Sequence, residues 1–349
     1  MMKTIYANSI NNSLHKLQVK ATMLSRVAEN VYWMARYLER AENTARLVNV
    51  NGNLLLDLPK NTTFGWQPLI AISGLEEVFY EYYKTPSEQN VVKFLLSEPK
   101  NPSSILSALA QARENLRTTR DIIPREAWEA VNDIYLFVQE ESKKGVSKRG
   151  RYDFLKYIIR GIQQITGLLS GSMSRDIAYK FLILGRYLER ADMTTRILDV
   201  RSANLLLKSD KGDELPLTPF ANIQWMSVLK SLTAYQMYRQ HMRLVRVKGA
   251  EVLKFLLQNN EFPRTVSFCF QRCEHCLSGL PGNEAPLRKL ARLERQVQKA
   301  DMYTLAHEGL HEFIDELQLG LAELHQQIHL IYLGGQNSSA TQQSLSSVA

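Results

Sequence analysis

The chain has 349 residues, 45% of them hydrophobic and 22% charged, with 43 Lys and Arg against 35 Asp and Glu for a net charge of +8. That composition supports a substantial core in one large or two average domains and points to an ordinary globular protein. It excludes a membrane span, because no run approaches roughly 20 apolar residues, and its mixed, mildly basic surface suits an acidic partner without demanding nucleic acid.

Residues 1–21 carry lysines and scattered Asn and Ser without the apolar stretch of a signal peptide. They are expected to form an N-terminal extension ahead of a helical domain over 22–334. Val27, Val31, Met34, Leu38, Ala41, Ala45 and Val48 recur at alternating heptad-like steps. That is the seam of a long helix over Leu24–Asp57. A Pro- and Gly-containing connection, Asp57–Pro68, leads to a helix over Leu69–Tyr83. Asn101 is expected to N-cap the next helix, with Pro102 at its first position. A helix over Glu126–Gln139 follows. Lys143–Arg151 then reads as a basic loop, a solvated linker first and a nucleic-acid contact second. Phe154–Leu169 is helical again.

The second half repeats the first. Arg36-Tyr37-Leu38-Glu39-Arg40-Ala41 returns as Arg186-Tyr187-Leu188-Glu189-Arg190-Ala191. The seam returns as Ile177, Phe181, Leu184, Leu188, Ala191, Thr195 and Leu198 in a helix over Ser174–Leu207. Lys93-Phe94-Leu95-Leu96 is matched by Lys254-Phe255-Leu256-Leu257, Pro102 by Pro263, and Ile105 by Val266. A register that drifts only through loop insertions is the mark of an internal duplication, here about 22–170 and 171–334. After a break at Pro281-Gly282-Asn283, helices are expected over Leu287–Ala300 and Leu305–Leu333. The Ser- and Gln-rich segment 335–349 is expected to be disordered. Strand patterns are absent. The fold class is therefore all-α: a duplicated helical bundle of about ten to twelve helices, its two halves packed about a pseudo-two-fold axis.

The cysteines Cys269, Cys273 and Cys276 share one helical face, interleaved with Phe268, Phe270 and Leu277. They suit buried small apolar residues in a reducing cytoplasm better than a disulfide framework or a metal site. His307-Glu308-Gly309-Leu310-His311 spells the H-E-x-x-H string, but Glu312, Glu316 and Glu323 continue the same expected helix and cannot fold back as a third ligand. No metal and no cofactor is assigned. Neither a phosphate loop, a dinucleotide fingerprint nor a nucleophile elbow is present.

Two constellations are candidates for ligand binding. On the opening helix Glu39, Glu42 and Arg46 share a flank beside the small Ala35, with Arg36 and Arg40 further round. Glu189, Asp192 and Arg196 beside Gly185 repeat that flank. Arg36–Glu39 and Glu42–Arg46 have ion-pair spacing. The flank suits either a buried charge network that fixes helix register or a polar site for a charged ligand. The second constellation is the helix start at Ser103 and Ser104 with Arg113, Glu114, Arg117 and Arg120 beyond it, three arginines suited to a carboxylate or phosphate.

On Ser25-Arg26, Tyr32-Trp33-Met34, the Arg36–Arg46 run, Asn101-Pro102-Ser103-Ser104-Ile105, Ala112-Arg113-Glu114-Asn115 and Phe262-Pro263-Arg264, the chain resembles the bacterial alpha-E family. The resemblance implies an all-helical protein that occurs beside, or fused to, circularly permuted ATP-grasp and transglutaminase-like proteins in systems of peptide or amide-bond chemistry. It assigns no catalytic residue. The leading expectation is an accessory helical subunit that binds the ligase or its peptide or amino-acid substrate. An enzyme using the paired carboxylates is the alternative. A basic nucleic-acid binder is the third and disfavoured reading. Oligomeric state is left open.

Overall fold

The computed structural model describes residues 2–57, 65–206, 221–242 and 247–334; of these, the side chains of 2–24, 57, 202–206 and 221 fall outside the description. The helices are α1 (Met2–Asp57), α2 (Gln67–Ser73), α3 (Glu76–Tyr82), α4 (Glu88–Ser97), α5 (Ile105–Arg117), α6 (Arg125–Val146), α7 (Lys148–Ser172) and α8 (Ile177–Leu206). They continue as α9 (Ala221–Ser231), α10 (Tyr235–Met242), α11 (Gly249–Gln258), α12 (Val266–Leu277), α13 (Glu284–Lys299), α14 (Met302–Leu305) and α15 (Leu310–Ile328), closed by a π-helical turn at His329–Leu333. No strand occurs among the described residues. No helix among them is long and apolar enough to cross a membrane.

The expected seams form the core except at their first positions, where Val27 is half-buried and Ile177 exposed. Val31, Met34, Leu38, Ala41, Ala45 and Val48 on α1 are buried, as are Phe181, Leu184, Leu188, Ala191, Thr195 and Leu198 on α8. From Val31 to Val48 every α1 residue except Arg40 is buried, charged ones included. A helix so enclosed lies at the centre of the molecule. α8 runs along it, α5 covers α1, and α12 covers α8. The two central backbones nearly touch at Gly185, where a Cβ would meet the Tyr32 carbonyl oxygen at 2.2 Å. Only glycine permits that approach.

Several local expectations are corrected. The Leu69–Tyr83 helix is two helices, because Gly74 (φ 68°) ends α2 in the left-handed region. The basic segment Lys143–Arg151 is no loop: α6 runs to Val146 and α7 starts at Lys148. Its Arg151 is buried, donating to Glu88 at 2.7 Å and to the Val146 carbonyl at 2.9 Å. Lys143, Lys144, Lys148 and Arg149 stay exposed at the junction of the two helices. The cap of α5 is Ser104, whose hydroxyl accepts from the Ser107 amide, rather than Asn101. Asn101 instead donates to the Phe94 carbonyl of α4 and accepts from the Ser103 amide. Thr265 caps α12 in the same way as Ser104 caps α5. The helix expected over Leu305–Leu333 is interrupted at Gly309 (φ 77°). His307 therefore sits in a turn, off the helix that carries His311, and the H-E-x-x-H spacing presents no common face. The expected disordered segment 335–349 lies outside the described residues.

Candidate ligand-binding site

Where α1 and α8 cross, two Glu-Arg pairs exchange partners. Arg40 grips Glu189 through Nε (2.6 Å) and Nη2 (3.1 Å). Arg190 grips Glu39 through Nε (2.8 Å) and Nη2 (2.7 Å). Both are two-toothed guanidinium–carboxylate contacts, the strongest geometry for such a pair. The i, i+3 pairing expected of Arg36 with Glu39 does not form: Arg36 turns across to Glu189 instead, Nε to Oε2 at 2.7 Å. Burial alone would push both carboxyls up. For Glu39 the charges of Arg190 and Arg264 outweigh that and hold it down to about 2. For Glu189, Arg40 and Arg36 do the same, also to about 2.

The lattice has a closed side and an open side. On the closed side Arg264, the last residue before the Thr265 cap, reaches inward. It donates to Glu39 (2.9 Å), Asn43 (2.8 Å) and Glu42 (3.0 Å). The chain start of α12 is fastened there, with Thr194 donating to the Arg264 carbonyl at 3.1 Å and Arg190 to the Pro263 carbonyl at 3.3 Å. The expected Glu42–Arg46 pair forms at 2.6 Å. Glu39, Glu42, Arg46 and Arg264 are all buried.

On the open side stands Ser103, which follows Pro102 in the sequence as Arg264 follows Pro263. Ser103 accepts only a 3.4 Å contact from Arg40 Nη1. Beside it opens a cleft of about 100 Å³, lined by Arg36, Arg40, Ser103, Glu189, Asp192 and Arg196 among its polar groups and by Ile72, Leu75, Leu95, Met193 and Leu321 among its apolar ones. Arg196 donates to Asp192 at 3.0 Å. Its Nη1 lies so close to Gly74 that a Cβ there would meet it at 2.7 Å. Trp33 and His325 complete the wall. Tyr32 and His325 are joined at 2.7 Å through Nδ1, and Arg36 donates to the Tyr32 hydroxyl at 3.4 Å. Burial and the nearby Arg36 hold the His325 imidazole well below its ordinary pKa, so it is neutral.

Of the residues singled out from the sequence, Arg36, Arg40, Ser103, Glu189, Asp192 and Arg196 line the cleft, while Glu39, Glu42 and Arg46 are sealed on the closed side. Ser104 is a buried cap. Arg113, Glu114, Arg117 and Arg120 are not part of the cleft lining. Arg113 donates to Asn132 at 2.7 Å and Arg120 lies over the Trp128 ring at 4.2 Å. Arg117 pairs with Glu114 at 2.6 Å on the surface. Arg113 also lies over the Trp128 ring, at 5.6 Å, so Arg113 and Arg120 share that ring while Arg117 is held by Glu114. Sequence reasoning missed Arg190, Arg264, Trp33 and His325. The repeat signals Arg190 as the match of Arg40. Nothing local signals His325, which comes from α15.

The three cysteines are buried and reduced. Burial pushes the Cys269 thiol up to about 12 and the Cys276 thiol to about 11, so they are inert. Among the described residues, Asp199, His311 and Asp315 have metal-ligand spacing. There the carboxylates flank opposite ring nitrogens, at 2.7 Å (Nδ1) and 3.5 Å (Nε2), which favours an imidazolium over a shared ion.

Residues 23–333 match Alpha-E, described as a predicted alpha-helical domain with a conserved ER motif. Glu-Arg dipeptides stand in this range at Glu39-Arg40, Glu189-Arg190 and Glu294-Arg295. Uncharacterized proteins of Mycobacterium bovis and Mycobacterium tuberculosis are each 22% identical over 325 residues, covering 85% of this chain and 35% of their own length. The chain thus spans about a third of the curated relatives it matches. No solved structure matches it significantly.

Proposed function

The chain belongs to the Alpha-E family, and from that premise we propose that it is an accessory helical subunit of an ATP-grasp peptide- or amide-bond-forming system, binding an amino-acid or peptide substrate in the α1/α8 cleft. One observation carries the reading: a small, arginine-lined cleft opens beside a lattice whose carboxylates are already committed. Glu189 accepts from Arg36 and Arg40 on both oxygens. A carboxyl held near 2 is a poor proton shuttle at neutral pH. The site therefore favours holding a charged group over acid–base chemistry. The absence of a nucleotide-binding motif in the sequence is consistent with ATP chemistry supplied by a partner in trans.

We also read 22–334 as one domain of two duplicated halves. The exchange of partners between Glu39-Arg40 and Glu189-Arg190, and the matched caps Ser104 and Thr265, support it. The test is co-purification of the full chain with an ATP-grasp protein encoded beside it. Stable association, and amide-bond formation by the pair that drops when the cleft is blocked, are expected. No association, together with unchanged ligase activity without this chain, overturns the reading.

A further inference from the structure

The polar groups of the cleft are unbalanced. Three guanidinium groups, Arg36, Arg40 and Arg196, face two carboxylates, Glu189 and Asp192, and the neutral His325 adds no charge. On the acceptor side there is little to offer a cationic ligand. Glu189 takes Arg40 Nε on Oε1, and Arg36 Nε with Arg40 Nη2 on Oε2. Asp192 is paired with Arg196.

On the donor side there is surplus. The indole N–H of Trp33 is buried with no partner, although Trp33 is only 3% exposed. A buried donor without an acceptor costs about 1–3 kcal/mol, and such groups ask for an explanation. Arg196 engages Asp192 through Nε, and its Nη1 packs on Gly74. Arg40 Nη1 has only the long contact to Ser103.

The closed side shows what the surplus means. There Arg264, a group from this chain, completes the hydrogen bonds of Glu39, Glu42 and Asn43. On the open side Arg36 already supplies the third arginine contact to its carboxylate, and the remaining deficit is of acceptors. At about 100 Å³ the cleft is well below the ~300 Å³ of common cofactor and drug-sized pockets, which suits a small ligand.

We infer that the cleft captures its ligand by a carboxylate, the free α-carboxylate of an amino acid or of a peptide C terminus, held by Arg196 and Arg40 beside the Trp33 ring, with a small apolar side chain against Ile72 and Leu95. This rests on the reading of the cleft as the substrate site and specifies which end of the substrate it holds. A planar, two-oxygen anion matches guanidinium donors. The apolar wall limits the neighbouring side chain to a small one.

The experiment uses the full-length chain labelled with ¹⁵N at tryptophan. Its four indoles include Trp33, assigned by loss of its signal in Trp33→Phe. Three probes are titrated: N-acetyl-L-alanine, its uncharged N-acetyl-L-alaninamide, and the cationic L-alaninamide. The expected result is a saturable shift of the Trp33 indole signal with the carboxylate alone, weakened about ten-fold in Arg196→Gln and abolished in Ser103→Arg. Circular dichroism and the other three indole signals check that each variant is folded.

A shift driven by L-alaninamide, an equal response to the uncharged amide, or no response to any probe into the tens of millimolar overturns the carboxylate assignment. Each of those outcomes leaves the accessory-subunit reading to be decided by co-purification. Conversely, carboxylate binding without association, and with ligase activity unchanged without this chain, sinks that reading and keeps this one.

Discussion

The closed and open sides of the α1/α8 lattice are built from matching strings and end in different chemistry. Each centres on a buried glutamate gripped at two points by an arginine of the opposite helix. At the entrance, one side has Arg264 and the other Ser103. The long side chain turns its side into a dry network. The short one leaves a cleft beside charged groups that are already fixed in place. A binding site here arises by omission: the lattice holds Arg36 and Arg40 rigid on Glu189, and the missing guanidinium leaves room. Such pre-organisation lowers the ordering cost of binding.

The comparison can be broken in several ways. Glu39→Gln strands Arg190 and Arg264 in a dry environment, and a loss of about 3–5 kcal/mol is expected by urea unfolding. Glu189→Gln should cost less, because water in the cleft can reach Arg36 and Arg40. An equal or reversed order would mean that the two sides do not differ in solvation.

Protons should act on the same groups. Glu39 and Glu189 titrate near 2 in the folded chain against an ordinary value of 4.5. Their contribution is therefore complete above about pH 4.5 and lost as pH falls toward 2. A thermal-midpoint profile should drop through that window and flatten in Glu39→Gln. Gly185→Ala forces a methyl against the Tyr32 carbonyl and should cost about 2–3 kcal/mol, loosening both sides together in urea unfolding.

Arg264→Ser converts the closed side toward the open one. Glu39 keeps Arg190 and Glu42 keeps Arg46, so a smaller loss of about 1–2 kcal/mol is expected by the same measurement. The smallest effect lies away from the lattice. Hydrogen bonding to Asp199 raises the pKa of His311, so the α15–α8 contact it makes is present below the ordinary histidine range and lost as pH rises through the raised value. The contact is exposed, and His311→Ala should remove this slope with a change below about 1 kcal/mol in unfolding free energy.

Much of this was legible in the linear order of residues. The alternating steps of Val31, Met34, Leu38, Ala41 and Ala45 identified the buried seam, because helix period alone decides which residues face a partner. Gly185, which the repeated flank places beside Glu189, Asp192 and Arg196, is where the Tyr32 backbone arrives. Helix ends were less legible: Gly74 and Gly309 divide helices that periodicity ran together, since apolar spacing continues through a left-handed residue. The partners of Arg113, Arg117 and Arg120 were not legible either: Arg113 donates to Asn132, Arg113 and Arg120 both lie over Trp128, and Arg117 pairs with Glu114, and spacing carries no information about neighbours on other elements.

By itself, the sequence determined the helical class, the repeated Glu-Arg pairs and the burial of the seams, all of which follow from local periodicity and composition. Only the tertiary structure decided that Arg36 abandons its neighbour Glu39 for Glu189, that Trp33 and His325 join the cleft, and that the same flank is sealed on one side and open on the other. The physical reason is that a charge in a folded chain pairs with whatever packing brings near. Here packing delivered an arginine to one glutamate's side and a serine to the other's.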